Sequence, residues 1–354
     1  MRFEKRESIS TNLRIMIPTV SVLLGLAVGA VAILLAHINP MRVYKALFLG
    51  AFGSAYTFSE TLVSATPLII ISVGLIVVFR MNFWNIGAYG QYIIGAIFGS
   101  FFALHTSPAM SRFLLLSIMC VSGIVGGALW ALIPAALKAF WDVNEVITTL
   151  LLNYIALFFL KYLMYGPWRD PTSHGFPLTK EFSLNAQLPR IFPHTRVHLG
   201  LIFGIVAAII IWIVIKKTKF GYEIRVIGEN KNAARYAGIN IVKDIFIAMV
   251  VSGGLAGLAG IAQVSGIIHL LQIEINPGYG YTAIIVAWLS SLDPVAAIFV
   301  SIFLGGLEAG GYQIQIAMQV PFGIVGTIES AILFFLLGGE IFKRYKIIFR
   351  RKQL

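Results

Sequence analysis

The chain alternates between long apolar stretches and short polar ones over nearly its whole length. Most of the apolar stretches reach the roughly 17–25 residues that an α-helix needs to cross a bilayer, whereas 280–292 is too short for a full crossing. The pattern predicts an all-α fold, a polytopic helical membrane protein with about ten transmembrane segments. These segments are placed at about 15–36, 61–79, 86–104, 113–137, 146–165, 199–215, 245–268, 280–292, 294–311 and 322–338.

The composition is that of a chain covered mostly by lipid. Of its 354 residues, 58% are hydrophobic and 12% are charged, whereas soluble domains carry about 25% charged residues. About ten membrane helices leave room for loops but not for a second folded domain. Residues 1–354 are therefore predicted to form a single transmembrane domain.

The basic residues are distributed as membrane orientation requires and do not indicate a nucleic-acid site. The formal net charge is +12, and the Lys and Arg residues fall between the apolar stretches. With about ten crossings and a cytoplasmic N-terminus, most of the 27 basic residues face the cytoplasm. This arrangement predicts that both termini and the basic linker 216–243 are cytoplasmic, and that segment 166–197 is extracytoplasmic.

Two glycine-interrupted segments carry polar and aromatic residues where membrane helices should run. The first contains Asn82, Trp84, Asn85 and Gln91, and a parallel stretch in the second half contains Asn276 and Tyr279. Non-helical backbone near the membrane must be buried in protein or line a watery cavity, and paired breaks of this kind indicate a substrate route. The alternative is that both segments are interfacial turns between ordinary helices.

Asn153 and Glu308 are polar residues inside apolar stretches. A carboxylate at depth costs roughly 2.5–3.5 kcal/mol on insertion scales, so Glu308 should face protein or a cavity. Each of the two side chains could bind a polar solute or form a hydrogen bond between helices, and the sequence leaves both readings open.

The linker 216–243 predicts a short cytoplasmic helix. Asn230 is a suitable N-cap, residues 232–237 favour helix, and Gly238 suits the position after the helix end. Such a helix could dock into a groove of a partner protein, and the alternative is a basic loop that touches anionic lipid.

The sequence contains no signature of catalysis or of metal binding. It has no P-loop, no His-Glu-x-x-His motif and no Gly-x-Ser-x-Gly elbow. His194 and His198 are not accompanied by a third metal ligand in a suitable pattern. We therefore expect no catalytic residue, no metal and no cofactor in this chain.

Three motifs carry a family resemblance. NFWNIGAYGQ (82–91), NEVITTLLLNYI (144–155) and GYEIRVIGEN (221–230) resemble the permeases of bacterial ABC importers. The group is that of branched-chain amino acid and simple sugar permeases, and the nucleoside-uptake branch is the most similar. The resemblance covers nearly the whole chain. One departure is Tyr89, which stands where the family usually has an acidic residue.

The resemblance implies a permease subunit of an ATP-driven importer in the bacterial inner (plasma) membrane, carrying a nucleoside or a related ribosyl or sugar solute. It also implies a separate ATPase subunit, a second permease that is homologous or identical, and an extracytoplasmic substrate-binding lipoprotein. The translocation path would include Asn82, Trp84, Asn85, Gln91, Asn153, Asn276, Tyr279 and Glu308. Coupling to the ATPase would involve Glu223, Arg225, Gly228, Asn230, Ala233, Ala234 and Tyr236. The alternative function is a self-sufficient secondary transporter or channel, which the lack of ionisable pairs within the membrane segments disfavours.

Overall fold

The computed structural model describes residues 2–5, 11–107, 110–275 and 278–348. Within these ranges the chain is helical apart from loops and two short strands. The helices are α1 Thr11–Leu35, α2 Pro40–Phe52, α3 Ala55–Phe79, α4 Ala88–His105, α5 Arg112–Trp141, α6 Glu145–Tyr165, α7 Gly200–Lys217, α8 Lys219–Glu229, α9 Lys231–Tyr236, α10 Ile241–Gln263, α11 Tyr279–Leu289, α12 Pro294–Met318 and α13 Gly323–Arg344. Strands β1 Arg2–Lys5 and β2 Tyr345–Ile348 pair antiparallel, with Arg2 opposite Ile348.

Each of the predicted transmembrane segments contains a helix, which confirms the polytopic all-α class. In the described part of the chain, seven helices are long and apolar enough to cross a membrane: α1, α3, α5, α6, α7, α10 with its extension to Ile268, and α12. Helix α11 and the apolar part of α13 are shorter. Many large apolar side chains on these helices are exposed, for example Phe113 on α5, as expected for a surface in contact with lipid.

The chain divides into two compact units. The first consists of Met1–Thr57 and Gly306–Leu354, and the second of Phe58–Gly305. In the first unit, α1 packs on α13 because its glycines leave room: a Cβ at Gly25 or Gly29 would collide with an isoleucine of α13. This close approach is the use that glycine spacing predicts for helices in lipid.

In the second unit, α3 is buried almost throughout. Helices α4, α5 and α10 pack through glycine faces, with Gly95 of α4 against the Gly257 backbone and Gly127 of α5 against the carbonyl of Gly253. A methyl group at any of these positions would strike backbone, so the three helices are fixed at backbone contact distance.

The long segment after α6 pairs with irregular backbone beyond α10. Helix α10 continues as a π-helical turn over Val264–Ile268, which ends at His269 with a positive φ of 61°. The backbone N–H of Thr179 donates to the Leu271 carbonyl at 3.0 Å, and that of Phe182 donates to the His269 carbonyl at 2.7 Å. These bonds satisfy polar backbone groups that lipid could not.

Candidate functional site

A buried amide network holds the segment between α3 and α4. Asn85 accepts from the backbone N–H of Gly87 at 2.9 Å and from Gln91 Nε2 at 3.2 Å. Its own amide donates to Gln91 Oε1 and to Ser252 Oγ on α10, both at 3.1 Å. All the hydrogen-bonding positions of the Asn85 side chain are used, so in this conformation Asn85 holds the break in place. Its predicted contact with a solute stays a prediction.

Helix α6 satisfies the non-helical backbone of the same segment. Thr149 Oγ1 accepts from the Ile86 N–H at 3.2 Å. One turn later, Asn153 donates to the Ile86 carbonyl at 2.9 Å and accepts from the Gly90 N–H at 2.8 Å. Thr149 and Asn153 lie four residues apart and therefore share one helix face. They explain how a helix break can exist inside a membrane protein.

Trp84 belongs to an aromatic cluster. Its ring stacks on Trp288 of α11, with centroids 5.2 Å apart and planes 20° apart, and lies 5.7 Å from the ring of Phe79. Aromatic pairs in this distance range add about 0.5–1.5 kcal/mol beyond burial. The cluster therefore joins the ends of α3 and α11 beside the first helix break.

A second stacked pair joins α4 to α11. The rings of Tyr89 and Tyr281 lie 5.4 Å apart at 20°, and Asn153 donates to the Tyr281 hydroxyl at 3.3 Å. Gly280 permits this approach, since a Cβ there would lie 2.5 Å from the Tyr89 backbone nitrogen. The two glycine-interrupted segments, which correspond to each other in the two halves of the sequence, therefore contact each other through these tyrosines.

The linker helix α8 contacts the turn after α3, and Arg80 of that turn binds the turn after α11. We call Arg80–Asn82, Gly228 and Leu292 the turn cluster. Arg80 donates to the Leu292 carbonyl through Nε at 3.1 Å and Nη2 at 2.8 Å. Asn82 donates to the Gly228 carbonyl, and a Cβ at Gly228 would collide with the Arg80 carbonyl oxygen. Burial lowers the pKa of Arg80, an effect that the nearby Asp293 carboxylate opposes.

Helices α8 and α9 have a buried side and an exposed side. Gly221, Ile224, Ile227 and Ala234 are buried, whereas the predicted coupling residues Arg225, Asn230, Ala233 and Tyr236 are exposed, with Tyr236 at 95%. Glu223 is half-buried and pairs with Lys219 at 3.4 Å. The predicted cap is confirmed: Asn230 accepts from the N–H groups of Asn232 and Ala233, and Gly238 follows the helix at φ +75°.

The remaining predicted path residues are Tyr279, Glu308 and Asn276, and the structure does not bring all of them into the amide network or the aromatic pairs. Tyr279 opens α11 and is buried. Glu308 is buried on α12 within the first unit, whereas the other described path residues belong to the second. Asn276 lies outside the described residues.

Several residues that form these contacts are not predicted from the sequence. Ser252, Trp288 and Leu292 contribute to the contacts above, but each is far along the chain from its partner. Only Tyr281 could have been identified from the sequence, because it ends the second glycine-interrupted segment. A serine or tryptophan on an apolar helix does not reveal which distant residue it contacts.

His194 and His198 differ in exposure. His194 is exposed, whereas His198 is buried and burial lowers its pKa to about 4. Its Nδ1 accepts from the Gly200 N–H at 3.2 Å, and its Nε2 has no hydrogen-bond partner in the described structure. Among the described residues, no cluster of three or more His, Cys, Asp or Glu could hold a metal ion.

The sequence profile of one protein family matches the chain over residues 57–337, a range that includes the amide network, both aromatic pairs and the linker. The family is described as the branched-chain amino acid transport system / permease component. The chain belongs to this family. The resemblance read from the three sequence motifs is thereby confirmed.

Relatives in this permease family align over almost their whole length. The glucose ABC transporter permease TsgB13 of Haloferax volcanii is 34% identical, over 98% of this chain and 93% of its own. The guanosine ABC transporter permease NupP of Bacillus subtilis is 33% identical over 91% and 92%. The nucleoside ABC transporter permease NupB of Lactococcus lactis is 31% identical over 91% and 90%. The chain is therefore a multi-pass transmembrane subunit of an ABC transporter and not an enzyme.

Proposed function

We propose that this permease translocates a nucleoside, or a related ribosyl or sugar solute, inward across the bacterial plasma membrane. ATP hydrolysis by a separate ATPase subunit drives the movement. A second permease subunit and an extracytoplasmic binding lipoprotein complete the importer. The names of the relatives support this solute class, since they cover guanosine, nucleosides and glucose.

The observation that carries the proposal lies within the turn cluster, where Gly228 of the linker contacts the turn after α3. The Gly228 backbone of α8 lies against Arg80–Asn82, and the Arg80 side chain binds the Leu292 carbonyl. A displacement of α8 therefore reaches the turn after α3 and the turn after α11 together. Both turns lead into the helices that carry the predicted path residues.

The exposed side of the linker supplies the surface for the ATPase. Arg225, Lys231 and Arg235 are exposed there, together with Tyr236. Exposed basic residues around an aromatic side chain suit a groove with acidic walls, because complementary charge guides docking and a large ring fills a pocket.

Cysteine labelling tests the orientation on which the proposal depends. Cys120 is the only cysteine, so C120A provides a background without thiols. In that background, in cells that lack the ATPase subunit, we expect Tyr236→Cys to react with a membrane-impermeant maleimide only after the cells are opened. The matched control is Leu184→Cys, 78% exposed in the predicted extracytoplasmic segment, which should react in intact cells. Labelling of Tyr236→Cys in intact cells would rule out a cytoplasmic linker.

Reconstitution tests the source of energy. Vesicles that contain the permease, its ATPase and its binding lipoprotein should accumulate radiolabelled solute only when ATP is present. Vesicles that contain the permease alone should accumulate none under a proton or sodium gradient. Uphill uptake by the chain alone would establish the secondary transporter instead.

A further inference from the structure

The Tyr89–Tyr281 pair lies deep in the membrane. Helix α12 begins at Pro294 and is long enough to cross, so the turn before it marks one membrane face. Tyr281 precedes Leu289 by two helical turns, which is about 12 Å along the axis of α11 at a rise of about 1.5 Å per residue. With α11 running along the membrane normal, this length is the depth of Tyr281 below that face. The hydrocarbon core is about 30 Å thick, so the pair lies near its middle. This depth excludes the interfacial position at which tyrosines usually anchor membrane helices.

The ring of Tyr281 is held in place by its neighbours. Tyr89 covers one face of the ring at a centroid distance of 5.4 Å, and Asn153 donates to its hydroxyl at 3.3 Å. Tyr281 nevertheless remains 39% exposed. Since Tyr89 stacks on one face of the ring, a solute would contact Tyr281 through the part that remains exposed.

Tyr92 shows what a packing tyrosine looks like in the same region. It lies one turn after Tyr89 on α4, is completely buried, and its hydroxyl donates to the Ile275 carbonyl at 3.1 Å. Tyr281 has a comparable hydrogen bond but remains partly exposed. Its fixed orientation and partial exposure distinguish Tyr281 from Tyr92, whose ring is completely buried by helix packing.

Asn153, the polar neighbour of the Tyr281 ring, is largely occupied by protein, which favours stacking over hydrogen bonding with a solute. The Asn153 carbonyl oxygen already accepts one hydrogen bond, and its amide donates to the Ile86 carbonyl and to the Tyr281 hydroxyl. A free sugar needs a polar partner for each buried hydroxyl, whereas a nucleobase gains about 1–3 kcal/mol from stacking on an aromatic ring.

We propose that Tyr281 is a stacking site for the base of the transported solute, with Tyr89 and Asn153 as positioning residues that fix its ring. The inference rests on the proposed permease function and narrows its substrate class to solutes that carry a planar heteroaromatic ring.

Uptake by the complete importer tests the proposal. Vesicles that contain the permease, ATPase and lipoprotein are offered tritiated adenosine, guanosine, uridine and cytidine in turn, and labelled ribose and glucose as sugars without a base. Tyr281→Leu should lower nucleoside uptake about 5–150-fold, the equivalent of about 1–3 kcal/mol. Tyr281→Phe keeps the ring but loses the hydrogen bond from Asn153, so nucleoside uptake should fall by no more than about tenfold and by less than in Tyr281→Leu. The control Tyr162→Leu, at a residue 65% exposed on α6, should leave uptake unchanged.

The results separate this inference from the proposed function. Wild-type uptake of ribose or glucose but of no nucleoside would overturn the stacking site and leave the permease function standing. Nucleoside uptake that is unchanged in Tyr281→Leu would also overturn it. No ATP-dependent uptake of any solute by the wild type would contradict the permease proposal itself. If Tyr281→Leu fails to assemble, Tyr89→Leu decides: a selective loss of nucleoside uptake supports the site, and unchanged uptake refutes it.

Discussion

Gly228 is the position at which one added carbon atom should separate the linker from the membrane helices. Its Cα lies so close to the Arg80 carbonyl oxygen that a Cβ would overlap that atom. The obstacle is backbone and cannot rotate away, so Gly228→Ala and Gly228→Val must shift α8. Overpacking of this kind costs about 1–3 kcal/mol, and separation would also weaken the Asn82 hydrogen bond, which is worth about 0.5–1.5 kcal/mol.

A free-energy cost of this size is enough to change the balance between two conformations of the importer. A difference of about 2 kcal/mol changes the ratio of two states about 30-fold. We therefore expect Gly228→Val to abolish solute uptake and the stimulation of ATPase activity by loaded binding protein, with Gly228→Ala intermediate. Membrane insertion should persist, because Gly228 lies in the linker and outside the predicted spans.

The assay measures uptake and stimulated ATPase activity in the same vesicles, after co-purification has established subunit content. Gly338→Ala is the matched control, because a Cβ at that glycine meets nothing within 4 Å. Wild-type uptake and stimulation in Gly228→Val would refute the idea that the turn cluster transmits the movement of the linker.

Three further predictions follow from other contacts. Arg80→Lys cannot reproduce the two-donor contact with Leu292, so stimulated ATPase activity should fall at least about fivefold while subunit co-purification is retained. Asn153→Ala leaves two backbone polar groups without their partner and should cost about 1–3 kcal/mol for each, measured as a lower Tm in detergent; an unchanged Tm would contradict this. His198 has a folded-state pKa of about 4, below its ordinary value, so the unfolded state binds more protons between about pH 6.5 and 4. The free energy of unfolding should therefore decrease as the pH is lowered through that window, by up to about 1.4 kcal/mol per pH unit. His198→Gln should flatten this pH profile.

The sequence predicts the positions of the helices better than the contacts between them. Runs of apolar residues located every long helix, because lipid demands a continuous apolar surface. Helix α2 was missed because its 13 residues include Arg42 and Lys45. Helix α8 is not predicted from the sequence, because its buried side consists of only Gly221, Ile224 and Ile227, with charged residues between them. The cap at Asn230 was found because capping is a local interaction.

The site was predicted in part for the same reason. The helix break before α4 could be read from Asn85, Gly87 and Gln91, since glycines and amides interrupt an apolar pattern. The closure of that network by Ser252 could not, because it depends on the distance between two helices far apart in sequence. Asn85 was expected to face a solute, and in this conformation its amide is occupied by protein.

The pairing of Thr179 and Phe182 with the backbone beyond α10 bears on attempts to trim the chain. The segment 166–197, which is predicted to be extracytoplasmic, would look dispensable, since it is rich in proline and contains no predicted path residue. Its removal would nevertheless strip hydrogen bonds from the carbonyls of His269 and Leu271, shortly before the helix that carries Tyr281. A protein that lacks this segment should therefore lose the ordered backbone that leads into α11, at a distance from the deletion itself.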